Sequence, residues 1–228
     1  MLRIPENNDM NEEQIMMHYD SLFALSKVNK FFIDISQELC PSGKVLDVGC
    51  GTGTILRGMK ESYEKHGVDV SSNMIEYARS KSGDIEYKVG DGLNFPYADN
   101  SFDFVMSHSV IHHVKDVAGL VNEMLRVLKP DGALFVKDLC RPKSEHQLQT
   151  FFMDFLAKDY DSVNKKLFHD SLRASYTPDE FKGYFQNVDT SKLFFYNIAE
   201  KAAKGVSVDY EARQVRTNLF INDRLGRI

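Results

Sequence analysis

An apolar, β-branched run that ends in three glycines at alternate positions, Val45-Leu46-Asp47-Val48-Gly49-Cys50-Gly51-Thr52-Gly53, leaves this chain few folds to choose from. Runs of that kind lie buried inside parallel sheets, and the helical pattern over residues 54–63 means that the strand turns at once into a helix. Gly49, Gly51 and Gly53 carry no Cβ and reach backbone angles closed to other residues, so a ligand can lie against the main chain itself. The helix behind the turn aims free N–H groups and its positive dipole end at that ligand, which favours an anionic group such as a carboxylate or phosphate. Asp47 interrupts the apolar strand. An unpaired charge there is costly, so the expectation is that it accepts hydrogen bonds from the loop amides or from a ligand amine.

Two classes of cofactor use such a turn, and spacing separates them. The dinucleotide fingerprint places its third glycine at the sixth position, but counting from Gly49 that position is Thr54 and the glycine comes one place early, at Gly53. The spacing argues against a pyrophosphate. The nine-residue string resembles the first motif of the class I S-adenosylmethionine (SAM) dependent methyltransferases, almost letter for letter. The resemblance covers residues 40–140 and implies SAM as cofactor, with S-adenosylhomocysteine (SAH) as its product.

Later segments extend the match. Residues 66–70 read as a second strand ending in Asp69, where an acid is expected to take both ribose hydroxyls of an adenosine cofactor. The helix over 72–80 starts at a Ser71 or Ser72 cap and carries Met74 on its first turn, facing the adenine or filling the core. A third strand over 85–89 closes in Gly90-Asp91-Gly92-Leu93; in the resembling family an acid here binds the adenine amino group and the next amide reaches the ring, whereas Asp between glycines is also plain turn chemistry. Phe95-Pro96 followed by Ser101-Phe102-Asp103-Phe104-Val105 is again a pattern of small-molecule methyltransferases. By resemblance the cofactor set comprises Tyr19, Asp47, Gly49, Cys50, Gly51 and Gly53, then Asp69, Val70 and Met74, then Asp91, Gly92, Leu93, Ser107 and His108.

Just past the fourth strand, residues 108–114 hold His108, His112 and His113 on the rim where an open α/β sheet places its crevice. An acid or cysteine at ligand spacing is missing from the segment, so no metal is expected. Imidazole titrates near working pH, which makes His112 and His113 candidate general bases, with Asp138 at the end of the fifth strand as a third. The plainer alternative packs one histidine beside the cofactor and leaves the other in solvent.

The remaining segments frame this core. Residues 11–39 repeat apolar positions at helical spacing, and in the resembling family such a leader covers the cofactor, which makes Tyr19 and His18 candidate covering residues, with core packing for Tyr19 and solvent exposure for His18 as the plainer alternatives. Residues 117–128 form an amphipathic helix stopped by Lys129-Pro130-Asp131-Gly132, and a fifth strand follows over 133–137. Two helices are expected over 144–158 and 160–172, then a helix opened by Thr177-Pro178-Asp179-Glu180, a sixth strand over 193–198 and a seventh within 206–221. The expected fold is therefore α/β: a doubly wound, Rossmann-like sheet with helices on both faces, to which the resemblance adds a seventh, antiparallel strand and a helical N-terminal lid. Residues 1–40 form the lid and 41–228 the SAM-binding domain, with a helical insertion at 144–172.

Composition bounds the partners. A net charge of −5 and the lack of a dense Lys/Arg cluster disfavour nucleic acid. Three widely spaced cysteines, Cys40, Cys50 and Cys140, suggest neither a disulfide framework nor a zinc site, and no run approaches the ~18 apolar residues needed to span a bilayer. The opening residues lack an apolar signal-peptide core, so a cytoplasmic setting is expected. The reading is a methyltransferase for a small-molecule acceptor, similar to the ubiquinone and menaquinone biosynthesis enzymes. A nicotinamide dehydrogenase, a SAM-using enzyme that transfers no methyl, and a non-catalytic partner subunit remain as alternatives.

Overall fold

The computed structural model describes residues 1–5, 27–151, 162–186, 193–197 and 216–221. Tyr19 and His18 lie outside them. Five strands make the central sheet: β1 (Gly43–Val48), β2 (Tyr63–Asp69), β3 (Glu86–Val89), β4 (Phe102–His108) and β5 (Leu128–Leu139). They stand in the order β3-β2-β1-β4-β5, and every neighbouring pair is parallel. The order reverses between β1 and β4, which opens a crevice beyond their carboxyl ends. At the β5 edge, Arg216–Ile221 pairs antiparallel with β5, and Leu193–Asn197 pairs antiparallel with that segment.

Side-chain alternation along the strands divides the core into two layers. Val45, Phe104, Met106 and Phe135 face α1 (Lys27–Leu39), α2 (Thr54–Gly58) and α3 (Ser72–Lys81), meeting Phe32, Leu56 and Ile75. Leu46, Val48, Val105, Leu134 and Val136 face the other way, onto Leu120, Val121 and Met124 of α4 (Val117–Val127). This second layer also takes Phe181 and Phe185, from α7 (Pro178–Gly183) and the turn after it. Helices α5 (Glu145–Phe151) and α6 (Ser162–Ala174) follow β5, the first within the span expected over 144–158 and the second running two residues past the span expected over 160–172.

Local chemistry explains the boundaries. Ser71 caps α3 by accepting from the Met74 amide, and Asp116 caps α4 by accepting from Gly119. Thr177 and Glu180 form the anticipated capping box, with Pro178 at the first helical position. The helix expected over 54–63 is a single short one that ends at Gly58, a poor helix former, whose missing side chain leaves room for α1: a Cβ there would stand 2.7 Å from Ile33 Cδ1. Met59 is already extended, and Tyr63 starts β2 with its hydroxyl donating to the Cys40 carbonyl. Lys129-Pro130-Asp131-Gly132 follows the end of α4 at Val127 and forms the irregularity in which the pairing of β5 with β4 passes from Leu128 opposite Phe102 to Ala133 opposite Phe104.

Phe32 fixes α1 to the sheet. Fully buried, its ring lies 4.9 Å from that of Phe135 and 5.0 Å from that of His108, at the strand ends that frame the crevice. Phe32→Ala should therefore cost ~3–5 kcal/mol of stability. Urea denaturation with an unchanged m-value checks this, and a loss below ~1 kcal/mol would mean that α1 is not seated as described.

Candidate functional site

Gly49, Gly51 and Gly53 all adopt positive φ, at 72°, 51° and 77°. Their surroundings differ. A Cβ on Gly49 would meet Val110 and one on Gly53 would stand 2.2 Å from the Tyr87 hydroxyl, but one on Gly51 meets nothing within 4 Å. Packing accounts for the first and last glycines; Gly51 presents bare backbone to a cavity of about 430 Å³.

Asp47, Gly49, Cys50, Gly51, Asp69, Val70 and Met74 line this cavity together with Gly92, His108 and His113. The loop amides, expected at Asp47, are committed elsewhere. Gly49 and Cys50 donate to the Val68 carbonyl, Gly53 donates to Cys50, and Gly51 donates to Asp69 Oδ2 at 2.9 Å. Asp69 Oδ1 accepts from Ser71 at 2.9 Å. Asp47 is only 2% exposed, and burial, with the Asp69 charge added, pushes its carboxyl well above the usual carboxylate range. Burial also raises Asp69, against the pull of the Ser71 and Gly51 amides and of His113. The site thus holds two carboxylates that are costly to ionise side by side, and a cation placed between them would relieve both.

Cys50 is no nucleophile here, because burial, Asp47 and Asp69 all raise its thiol. Asp91 turns its Oδ1 to the Leu93 amide at 3.1 Å, which is the turn chemistry weighed above; neither residue lines the cavity, and Leu93 is 49% exposed. Ser107 is buried and donates to the Val48 carbonyl, and Gly53 sits beneath Tyr87, so both support the cavity from behind. The histidines separate as well. His113 reaches the cavity, whereas His112 and Asp138 are buried behind it, with His112 Nδ1 at 2.5 Å from Asp138 Oδ1. Among the described residues no group of three or more His, Cys, Asp and Glu is disposed to hold a metal.

Ser109 and Phe95 are among the lining residues that the sequence does not mark as site residues. Ser109 takes a positive φ of 56°, rare for a residue with a Cβ, and bonds through its amide to the Lys137 carbonyl. Phe95 packs under the crevice at 3% exposure; Phe95-Pro96 was noticed only as a pattern. Nothing in a serine between two histidine-bearing stretches signals its backbone angle.

Residues 46–136 match the family model described as a methyltransferase domain. Over those residues the chain resembles the SAM-dependent methyltransferases. It is 31% identical over 194 residues to a phosphoethanolamine N-methyltransferase of Triticum aestivum, covering 72% of this chain and 38% of that one. It is 28% identical over 172 residues to a demethylmenaquinone methyltransferase of Renibacterium salmoninarum, covering 69% of this chain and 70% of that one. The chain spans little more than a third of the wheat protein's length. A plantazolicin methyltransferase, solved in complex with a pentazolic desmethylPZN analog and SAH, shares the fold at a TM-score of 0.69 and 17% identity, over 95% of this chain and 92% of that one. The methyltransferase domain therefore has the Rossmann-like α/β architecture with its five parallel strands in common with that structure.

The raised Asp47 carboxyl has a consequence for the ligand-free domain. Between its unfolded and folded pKa values the folded state binds more protons than the unfolded chain, so stability falls as pH rises through that window. Asp47→Asn should flatten this slope and raise the melting temperature at pH 8 by ~2–4 °C, which is what ~1 kcal/mol yields in a domain of this size. Thermal melts of both proteins between pH 5 and 8 decide it, and a lower melting temperature in the variant would show that Asp47 is already compensated.

Proposed function

We propose that the protein transfers a methyl group from SAM to a small-molecule acceptor, releasing SAH. The buried Asp47 carboxyl carries this reading. Its charge is destabilised by burial and by Asp69, it faces the cavity, and the neighbouring loop amides point to other acceptors. A cationic ligand answers that arrangement, while a pyrophosphate would bring more negative charge to the same two carboxylates.

The cavity's other groups fit the same molecule. Gly51 leaves room for a ligand against its backbone. Asp69 accepts from the amides of Gly51, Ser71 and Val70, and a carboxylate with about four lone-pair sites still has capacity for a ribose hydroxyl. Val70, 76% exposed, and Met74 supply apolar surface at the cavity's adenine end. In this reading Asp47 takes the ligand's ammonium, Cys50 and Gly92 offer backbone, His108 borders the site, and Tyr19 belongs to a lid formed by residues 1–40. The remaining chain, 41–228, is the catalytic domain, built on the seven-stranded, doubly wound form of the fold.

When bound, SAM supplies an electrophilic methyl on a sulfonium. The protein's part is to hold an acceptor in line with it and keep water out, and alignment of this kind lowers barriers by up to ~7–11 kcal/mol. His113, at the cavity wall, is the side chain placed to take a proton from an acceptor that must lose one; Asp138 and His112 stand behind it. The named activities of the wheat and bacterial relatives support a small-molecule acceptor.

Calorimetric titration with SAH, alongside NADH, tests the cofactor. SAH should bind in the micromolar range and NADH should give no heat; Asp69→Ala should weaken SAH tenfold or more, ~1.4 kcal/mol. Binding of NADH alone would replace this reading with a dehydrogenase. Binding of SAH with no methylated product from a broad acceptor screen would favour a SAM enzyme of another reaction type.

A further inference from the structure

The short turn Ile111–His113 is gripped from several directions. Asp138 accepts from the His112 ring at 2.5 Å and from the His112 amide at 3.3 Å. Arg3 donates through Nη2 to the His112 carbonyl at 2.9 Å and through Nε to the Ala174 carbonyl, at the end of α6, at 2.6 Å. Its guanidinium lies 4.4 Å from the centre of the Tyr176 ring, and the Tyr176 hydroxyl donates to the Val114 carbonyl at 3.3 Å. Burial pushes the Tyr176 phenol up to about 12, so this donor keeps its proton.

The carbonyls on both sides of His113 are thus held from outside the turn, and its neighbour His112 is held at ring, amide and carbonyl. The His112 and His113 rings lie 4.1 Å apart at 39°, so whatever fixes the first ring limits the second. His113 alone of the pair reaches the cavity. We infer that Arg3, Tyr176, His112 and Asp138 are positioning residues which set the His113 imidazole at the cavity wall, making residues 1–5 part of the site's support. Arg3 suits the task because a guanidinium can bridge two carbonyls while stacking on an aromatic ring. Asp138 suits it because a buried carboxylate fixes both the orientation and the tautomer of the imidazole it accepts from.

The inference rests on reading the cavity as the cofactor and acceptor site, but its test does not require a bound ligand. Histidine ring signals of the whole ligand-free chain report on His113 by nuclear magnetic resonance, while SAH titration of the wild-type protein reports separately on the function. Charged and titratable groups around His113 are Asp69 from β2, Asp47 from β1, His108 from β4, and the His112–Asp138 pair; Arg3 stands behind them. Asp138→Asn removes the carboxylate that holds the His112 ring, so the His113 ring protons should shift as the stacked pair loosens. Arg3→Ala leaves Asp138 in place, and it should shift the His113 ring protons toward the values of an unstacked imidazole. Tyr176→Phe, which keeps the ring under Arg3, should do the same to a lesser degree. A purely structural role would lower the melting temperature of the variants and leave the His113 ring shifts as in the wild type; that result would overturn the inference. If Asp138→Asn does not fold, unchanged His113 signals in Arg3→Ala overturn it alone.

Discussion

Two carboxylates at the ends of adjacent parallel strands, Asp47 on β1 and Asp69 on β2, are the constraint on which the rest of the site depends. Parallel pairing places Asp47 opposite Gly67, two residues short of Asp69, so the sheet itself brings the acids together. Gly51 satisfies one of them through its amide while exposing its backbone to the cavity. That leaves Asp47 buried with a charge it is reluctant to carry. A pocket of this kind is prepared for a cation, and the need exists before any ligand arrives.

The fold supplies this arrangement through the reversal of strand order between β1 and β4. Strands β2 and β3 leave to one side of β1, β4 and β5 to the other, and the crevice lies where the two crossovers diverge. Each of its walls comes from a different crossover. The glycine turn and α3 give one wall, and the turn after β4, carrying Ser109 and His113, gives the opposite one. Phe32 of α1 closes the base by packing on His108 and Phe135. Position in the sheet, more than any single motif, thus decides which polar groups face one another.

Much of this was legible in residue order because buried parallel strands leave a strong pattern. Val45–Val48, Phe102–Phe104 and Ala133–Val136 read as strands from apolar runs alone, and Thr177 with Glu180 announced its helix by local hydrogen bonding. Asp47, Gly51 and Asp69 were legible as residues around one crevice because each sits at a fixed distance from the glycine turn, and all three line the cavity. What sequence could not show is set by contacts across the fold. The crossing of α1 at Gly58 shows only in the nearness of Ile33, and the separation of His112 from His113 comes from Asp138, 26 residues away. Arg3 carried no signal at all, since its partners lie in the His112 and Ala174 carbonyls.

The measurement that bears most directly on the buried carboxylate pair is the number of protons exchanged when SAH binds, obtained by calorimetry in buffers of different ionisation enthalpy between pH 5 and 8. Below about pH 7 the SAH ammonium is almost wholly protonated, so there it brings a cation to Asp47 without needing a proton of its own. If Asp47 is held partly protonated by burial and by Asp69, binding must release protons, and the release must vanish in Asp47→Asn. Binding with no proton release at any pH in that range would mean that the site was not prepared for a cation, and the account built on Asp47 would be wrong.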